Sequence, residues 1–374
     1  MKRVVKSIYA PTRYVFVADR FSNFISVTDI VSGEHVETLD FSMRPHVMEL
    51  ARDDAMLAVG SPEVSAIEFM NLRTRERRRV ELPSPVFQLF FVPQTNLVAV
   101  GLRDQVGMIS YKDFTVRIFP RRFDSDQRQT LINTYYSLLF SSFSQSFWVL
   151  DEDRPCIYHR YGGAEPLDAP WKTIDLSRHI GTGSGLGIGV ASPEDDLLAM
   201  TTDDGSEGLV YFPAQDKVLS TGPMRTVGST NEPMIMPYID AYSKHVIFAD
   251  VTGNVALFDL VNGNGKPERF RVNFSPRFVR TGWLESTWIL AGDKGIMFQS
   301  FKDPSDRKVV RFVPEVMNMW VTGDSKTALY TLDEGAPAIY RFDIRTREQL
   351  PPIRVRGVTM ASMLRMGSNN SICY

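Results

Sequence analysis

The sequence contains five histidines, and no two of them have the spacing of a metal-binding pair such as H-x-H or H-x-x-x-H. A metal site would therefore need ligands from distant segments, and the candidate pair is His46 with Glu315. A lone histidine satisfied by hydrogen bonds is the simpler interpretation. We therefore predict neither a metal site nor a cofactor.

Motifs for nucleophilic catalysis and phosphate binding are absent from the sequence. There is no G-x-S-x-G nucleophile turn. The segment Gly263-Asn264-Gly265-Lys266 precedes Pro267, not Ser or Thr, so it indicates a turn and not a phosphate-binding loop. These observations favour a protein without catalytic residues, and an enzymatic function stays an alternative.

One cationic cluster stands out in the first third of the chain. Its members are Arg73, Arg75, Arg77, Arg78, Arg79, Arg121 and Arg122. Such a basic rim suits an acidic partner or phosphate groups. Charged outer strands also prevent sheets from adding to one another, and we favour this second interpretation.

Composition excludes several classes of protein. The 374 residues carry 42 Lys+Arg and 44 Asp+Glu, a net charge of -2, which argues against general nucleic-acid binding. No run of about 18 apolar residues exists, so we expect no membrane insertion. The first residues lack the apolar segment of a secretory signal, and two cysteines cannot form a disulfide framework. We therefore expect a cytoplasmic protein.

The elements that position these residues repeat along the chain. A short apolar run flanked by Ala, Gly, Asp or Thr occurs eight times, about 45 residues apart on average. Equivalent positions in the eight copies are Val17, Val59, Val100, Val149, Met200, Phe248, Leu290 and Tyr330. This period is typical of four-stranded propeller blades. The alternative is seven blades, with the degenerate fourth copy (residues 130–178) as an insertion.

Each copy has similar surroundings. One strand and a polar turn precede the apolar run, an alternating strand follows it, and a more polar fourth strand ends the unit. The continuous apolar run predicts a buried second strand, and the alternation predicts a half-exposed third strand. The fold class is therefore all-β, a β-propeller of four-stranded antiparallel blades.

Two segments carry a resemblance to a known superfamily. Residues 14–39, YVFVADRFSNFISVTDIVSGEHVETL, resemble a YVTN-type repeat of the WD40-like propellers. Residues 45–48 followed by residues 52–54 resemble the opening of the next such repeat. The resemblance implies a propeller that binds a partner, and it implies no reaction.

A proline recurs at the start of the predicted innermost strands, at Pro45, Pro85, Pro233, Pro276 and Pro314. The strand can begin there without that N–H. The residue after each proline is expected at one mouth of the central channel, as a ring of His46, Val86, Met234, Arg277 and Glu315. Strand ends on a rigid scaffold often carry binding residues.

These observations predict a single propeller domain over residues 1–356 and a docked tail over residues 357–374. The tail either pairs with the first blade or lies across one face. The leading hypothesis for function is a non-catalytic scaffold that binds a protein or peptide. Two alternatives stay open: a cofactorless propeller subunit resembling those of amine dehydrogenases, and a metal-dependent propeller lyase or lactonase.

Overall fold

The computed structural model describes residues 12–51, 55–103, 105–120, 138–163, 166–167, 169–181, 183–194, 196–224, 234–311 and 314–367. The predicted rim residues Arg121 and Arg122 lie outside these ranges. The same is true of residues 368–374 of the predicted tail.

The described residues form 32 strands and one helical turn. In chain order they are β1 (Tyr14–Asp19), β2 (Phe24–Asp29), β3 (His35–Asp40), β4 (Val47–Ala51), β5 (Met56–Ser61), β6 (Val64–Asn71), β7 (Arg77–Glu81), β8 (Val86–Phe91), β9 (Leu97–Leu102), β10 (Gln105–Ser110), β11 (Val116–Pro120), β12 (Leu138–Ser141), β13 (Ser146–Leu150), β14 (Cys156–Tyr161), β15 (Lys172–Asp175), α1 (Ser177–Ile180), β16 (Leu186–Ala191), β17 (Leu198–Thr202), β18 (Gly208–Phe212), β19 (Lys217–Ser220), β20 (Tyr238–Ile239), β21 (His245–Ala249), β22 (Asn254–Asp259), β23 (Glu268–Arg271), β24 (Ser275–Gly282), β25 (Thr287–Asp293), β26 (Gly295–Ser300), β27 (Arg307–Arg311), β28 (Val316–Val321), β29 (Thr327–Leu332), β30 (Ala338–Asp343), β31 (Gln349–Arg354) and β32 (Ala361–Met366).

The strands form eight four-stranded antiparallel sheets, the blades of a propeller. Blade 1 has the order β32-β1-β2-β3, and blades 2 to 8 each use four consecutive strands from β4 to β31. The prediction of eight blades is confirmed. The alternative of seven is wrong, because the degenerate fourth copy forms a complete sheet from β12 to β15. Among the described residues, no helix is long and apolar enough to cross a membrane.

Burial along the blades differs in one respect from the pattern that the sequence predicts. The second strands are buried as expected, for example all six residues of β5, and the fourth strands are mostly exposed. Most third strands are buried as well, with five of six residues buried in both β2 and β10, whereas β30 of blade 8 has two of six buried. The expectation of half-exposed third strands was therefore wrong for most blades, because blades packed face to face cover both sides of each sheet, but it holds for β30.

The core consists of apolar layers between neighbouring blades. One layer joins Phe16 and Ile25 of blade 1 to Leu57 and Met70 of blade 2, and similar layers recur around the ring. Burying one such side chain contributes about 1.5–3 kcal/mol. These layers fix the orientation of the inner strands, the ones nearest the axis.

The ring closes within blade 1. Strand β32 pairs antiparallel with β1, Leu364 opposite Val17, so residues near the two ends of the described chain share one sheet. The Asp19 carboxylate accepts hydrogen bonds from the amides of Thr359 (2.7 Å) and Met360 (3.0 Å) just before β32 begins. Burial would raise the pKa of Asp19, but these hydrogen bonds outweigh it and hold that pKa below its ordinary value.

We expect Asp19→Ala to lower the free energy of unfolding by about 1–3 kcal/mol, because two amides at the closure lose their acceptor. The contribution of the ionised carboxylate is present above the ordinary pKa of Asp and is lost as pH falls through the lowered pKa of the folded state. Urea unfolding at several pH values measures both effects. Asp303→Ala, in an exposed turn of blade 7, is the matched control. Equal destabilisation by the two variants would contradict the role assigned to Asp19.

Candidate functional site

Five consecutive inner strands bring polar and aromatic side chains together around the axis. These side chains are Glu49 of β4, Tyr238 of β20, Arg280 of β24, Trp320 of β28 and Arg365 of β32. We call this set the channel arc. It crosses four blade boundaries, so no single blade could assemble it.

Trp320 lies at the centre of the channel arc. The guanidinium carbon of Arg365 is 4.6 Å from the Trp320 ring centroid, and that of Arg280 is 5.3 Å from it. Both distances allow a cation–π attraction. The indole N–H donates to the Met366 carbonyl at 3.0 Å, which fixes the ring between the two arginines.

Arg365 has a carboxylate partner within the arc. Its Nε lies 3.3 Å from Glu49 Oε1, and its Nη1 donates to the Leu364 carbonyl at 3.0 Å. Burial raises the pKa of the Glu49 carboxyl, and the charges of Arg365 and Arg280 offset that only in part. Glu49 is the sole carboxylate of the five side chains.

Arg280 has no such partner. Its Nη1 donates to the carbonyl of the preceding residue, Val279, at 2.7 Å, and its Nε is buried without a hydrogen bond. Within the described part of the chain no carboxylate lies at ion-pair distance from it. Burial lowers the pKa of this guanidinium to about 10, so it stays protonated at neutral pH. With Glu49 ionised, the arc holds two cations and one anion.

A hydrogen-bond chain links the arc to the turn after β24. The hydroxyls of Tyr238 and Thr281 are 2.7 Å apart, and Thr281 donates to the Glu285 carboxylate. That carboxylate also accepts from the Ala241 amide of blade 6 at 3.3 Å. Burial raises the pKa of both Tyr238 and Glu285. The phenol therefore remains neutral beside Arg280.

The same turn is strained. Trp283, Leu284 and Glu285 have φ values of 50°, 54° and 59°, the left-handed region, which costs about 1–2 kcal/mol for each residue. The corresponding turns of blades 3, 4, 6 and 8 contain one left-handed residue each: Gln94, Gln145, Ser243 and Ser325. The contacts of Glu285 with blade 6, and the bond from the Trp283 amide to the Ser325 carbonyl of blade 8, hold this turn in place.

The structure brings together two members of the mouth ring that the sequence predicts. Arg277 forms ion pairs with Glu315 and with Asp293, the latter at 2.7 Å between Nε and Oδ1. The Glu315 amide donates to Asp333 at 2.9 Å. Arg280 follows Arg277 by three positions on β24, so the mouth lies about 10 Å from the arc.

The other three members of the predicted ring differ from one another. His46 lies just before β4, and its side chain is exposed on one side. Partial burial of the imidazole, together with the charge of Arg44, lowers its pKa. Val86 is fully buried, and Met234 is 5% exposed. Val86 packs where Gly60 has no side chain, since a Cβ there would lie 2.9 Å from it. A ligand at the mouth would therefore not reach Val86 or Met234.

The arginines of the basic rim differ in exposure, and Arg79 is ion-paired with Glu81. Arg77, Arg78 and Arg79 are exposed along β7, and Arg73 is exposed in the turn before it. Arg75 instead forms an ion pair with Glu37 of blade 1. The described part of the rim thus lies on the outer strand of blade 2, against blade 1.

A metal site has no support in the described residues. No group of three or more His, Cys, Asp or Glu side chains among them is close enough to hold a metal ion. Glu315, the suggested partner of His46, is engaged with Arg277.

The channel arc itself was missed in the sequence. Its signal is a single charged residue, an arginine, inside a mostly apolar inner strand, as in Phe278–Gly282 and Ala361–Met366. Charged residues are rarely buried unless they are paired. An arginine at such a position therefore deserved attention as a candidate binding residue.

Comparisons with known proteins extend the fold assignment. No protein-family model matches the sequence, and no curated protein matches it. The structure is similar to that of the dihydro-heme d1 dehydrogenase NirN in complex with DHE, with a TM-score of 0.72 and 14% identity over 97% of this chain and 77% of that chain. It is also similar to apo AztD from Citrobacter koseri, with a TM-score of 0.57 and 9% identity over 95% of this chain and 98% of that one.

A third similar structure is a functionally unknown protein from Desulfotomaculum acetoxidans. Its TM-score is 0.54 at 9% identity, over 95% of this chain and 99% of that chain. At these identities the similarity shows the fold alone. The chain is a β-propeller, as its repeats predict.

We expect the two arginines of the arc to affect stability in opposite directions. Arg280→Met removes a buried charge that has no carboxylate, so the free energy of unfolding should rise by about 1 kcal/mol. Arg365→Met leaves Glu49 without its partner and should lower that free energy by about 1–3 kcal/mol. Urea unfolding in a buffer free of carboxylate, phosphate and sulfate measures both. Destabilisation by both variants to the same degree would contradict the unequal pairing described above.

Proposed function

We propose that the protein is a non-catalytic binding propeller whose central channel takes the anionic group of a ligand. The observation that carries the proposal is Arg280, a half-buried arginine whose guanidinium lies beside Trp320 with no carboxylate at ion-pair distance among the described residues. A buried charge without a partner is costly, and an anionic ligand would remove that cost.

The chemistry of the arc favours a carboxylate as the ligand group. A guanidinium binds a carboxylate through two parallel hydrogen bonds, and the free Nε of Arg280 is one of the donors that such a bond needs. Trp320 and Tyr238 are themselves largely buried, so they hold the guanidinium in place and leave its polar edge to the ligand.

The arc is suited to binding and not to a reaction. Its five side chains include no nucleophile that a neighbouring base activates. The phenol of Tyr238, whose pKa is raised by burial, remains protonated at neutral pH. The metal-dependent lyase or lactonase has the least support, because Glu315 is ion-paired with Arg277.

Two sources could supply the carboxylate. One is a small molecule, and the similar structure of NirN in complex with DHE supports this source by analogy of fold. The other is an acidic side chain or C-terminus of a protein or peptide, which is the scaffold hypothesis. A propeller subunit beside a catalytic partner would be a case of the second source.

Isothermal titration calorimetry with four probes tests the proposal. The probes are benzoate, neutral benzamide, haemin as a carboxylate-bearing tetrapyrrole, and a Glu-rich peptide. We expect benzoate to bind and benzamide to bind much more weakly, and Arg280→Gln to weaken benzoate binding about tenfold or more, since a charged hydrogen-bonded pair is lost. Haemin and the peptide distinguish the two sources.

Arg354→Gln is the matched control, because Arg354 is an exposed arginine on the outer strand β31. It should bind every probe as the wild type does. Equal benzoate affinity for the Arg280 variant and the wild type would overturn the proposal, and so would equal affinity for benzoate and benzamide.

A further inference from the structure

Glu49 places a negative charge inside a site that is proposed to receive one. It lies on β4 beside the closing strand β32, and its only hydrogen-bond partner among the described residues is Arg365. Its charge also acts on Arg280. The Glu49 carboxylate therefore lies at the position to which the two arginines would attract the anionic group of a ligand.

We propose that Glu49 is a built-in competitor for the anionic group of the ligand. While Glu49 is ionised it neutralises Arg365, and Arg280 is then the only guanidinium of the arc that can pair with the anionic group of the ligand. When Glu49 is protonated or replaced, both guanidiniums beside Trp320 face the ligand. This inference rests on the proposed function, since it concerns the affinity of that same site.

The geometry of the Glu49–Arg365 ion pair favours its displacement by an incoming anion. Its Nε···Oε1 distance is 3.3 Å, longer than the roughly 2.7–2.9 Å of a strong charge-assisted hydrogen bond. The side chains of Arg365 and Glu49 are 20% and 25% exposed, so an incoming group can reach them. The Nη1 of Arg365 is already committed to the Leu364 carbonyl. A ligand carboxylate would thus compete with a single, long hydrogen bond.

Few other charges act on Glu49. The strands packed against β4 are β5, β8 and β32. Neither β5 nor β8 contains a charged residue, and β32 contributes Arg365. Arg280 acts from across the arc. The two arginines thus account for the charged surroundings of the carboxylate.

The direction of the pH response follows from this arrangement. Burial raises the pKa of Glu49 above its ordinary value, so the carboxyl takes up a proton at milder acidity than usual. A bound anion favours the protonated form, because the like charge is then removed. Affinity for an anion therefore increases as pH falls through the pKa of Glu49, and it decreases as pH rises above it.

Binding of sulfate and benzoate to the wild type, to Glu49→Gln and to Arg280→Gln tests the inference, with calorimetry at about pH 8 and about pH 5. Sulfate keeps its charge across this range, so the ligand itself does not titrate. We expect Glu49→Gln to bind both anions about tenfold more tightly than the wild type at the higher pH. At the lower pH the difference should shrink, because the wild-type carboxyl is then protonated in part.

Glu63→Gln is the matched control. It removes the same charge from the same chain, but Glu63 pairs with Arg44 near the mouth and not with the arc. It should leave the affinity and its pH response close to those of the wild type. His46 also titrates near the mouth, so a pH response that persists in Glu49→Gln would assign the effect to another group and overturn the inference.

The outcomes separate this inference from the proposed function. Binding to the wild type that Arg280→Gln abolishes and Glu49→Gln leaves unchanged would overturn the role of Glu49 alone. Binding to Glu49→Gln but not to the wild type would support it in its strongest form, a site that Glu49 keeps closed. Absence of binding to either protein would overturn both proposals.

Discussion

Antiparallel pairing of β1 with β32 closes the ring, and the contacts at the axis depend on it. Strand β32 supplies Arg365, which pairs with Glu49 of blade 2 and lies on the ring of Trp320 from blade 8. It also supplies the carbonyl of Met366 that holds the indole N–H. The strand that closes the propeller therefore also assembles the candidate site, so ring closure and the proposed binding depend on the same strand.

The charges around the axis explain why the arc is asymmetric. Arg277 at the mouth forms ion pairs with two carboxylates. Arg280 lies three positions further along β24 and has no carboxylate at ion-pair distance among the described residues. Pairing at the mouth keeps the entrance close to neutral, and the excess positive charge lies inside. A charge in such a low-dielectric setting acts more strongly than the same charge at the surface. Under the proposed function, this asymmetry favours binding of an anion in the interior over binding at the mouth.

The fold could be predicted from the sequence because its signals are local. Each blade repeats the same order of apolar run, turn and polar strand, and eight copies give eight blades. Pairing of β1 with β32 is different in kind, since it joins residues about 350 positions apart and no local pattern specifies it. The burial of the third strands likewise depends on neighbouring blades and not on the strand itself.

The candidate site was harder to predict, for a reason visible in the inner strands. In β24 a bulge between Pro276 and Phe278 shifts the register, and β8 has one after Val86. An extra residue changes the face that each later side chain occupies. Counting from the proline therefore identified Arg277 and Glu315 but also the buried Val86. Arg280 and Trp320 come from two different blades, so no fixed spacing in the sequence indicates their contact.

The position of β32 also bears on how the chain is made. Strands β1 to β3 of blade 1 come from residues 14–40, yet its inner strand consists of residues 361–366 and is therefore synthesised after blades 2 to 8. Throughout translation, then, the inner edge of β1 lacks its partner while blades 2 to 8 are being synthesised. An unpaired edge is open to pairing with other chains. Strand β32 follows all other described strands in the chain, so its pairing with β1 both removes this free edge and brings Arg365 to the candidate site.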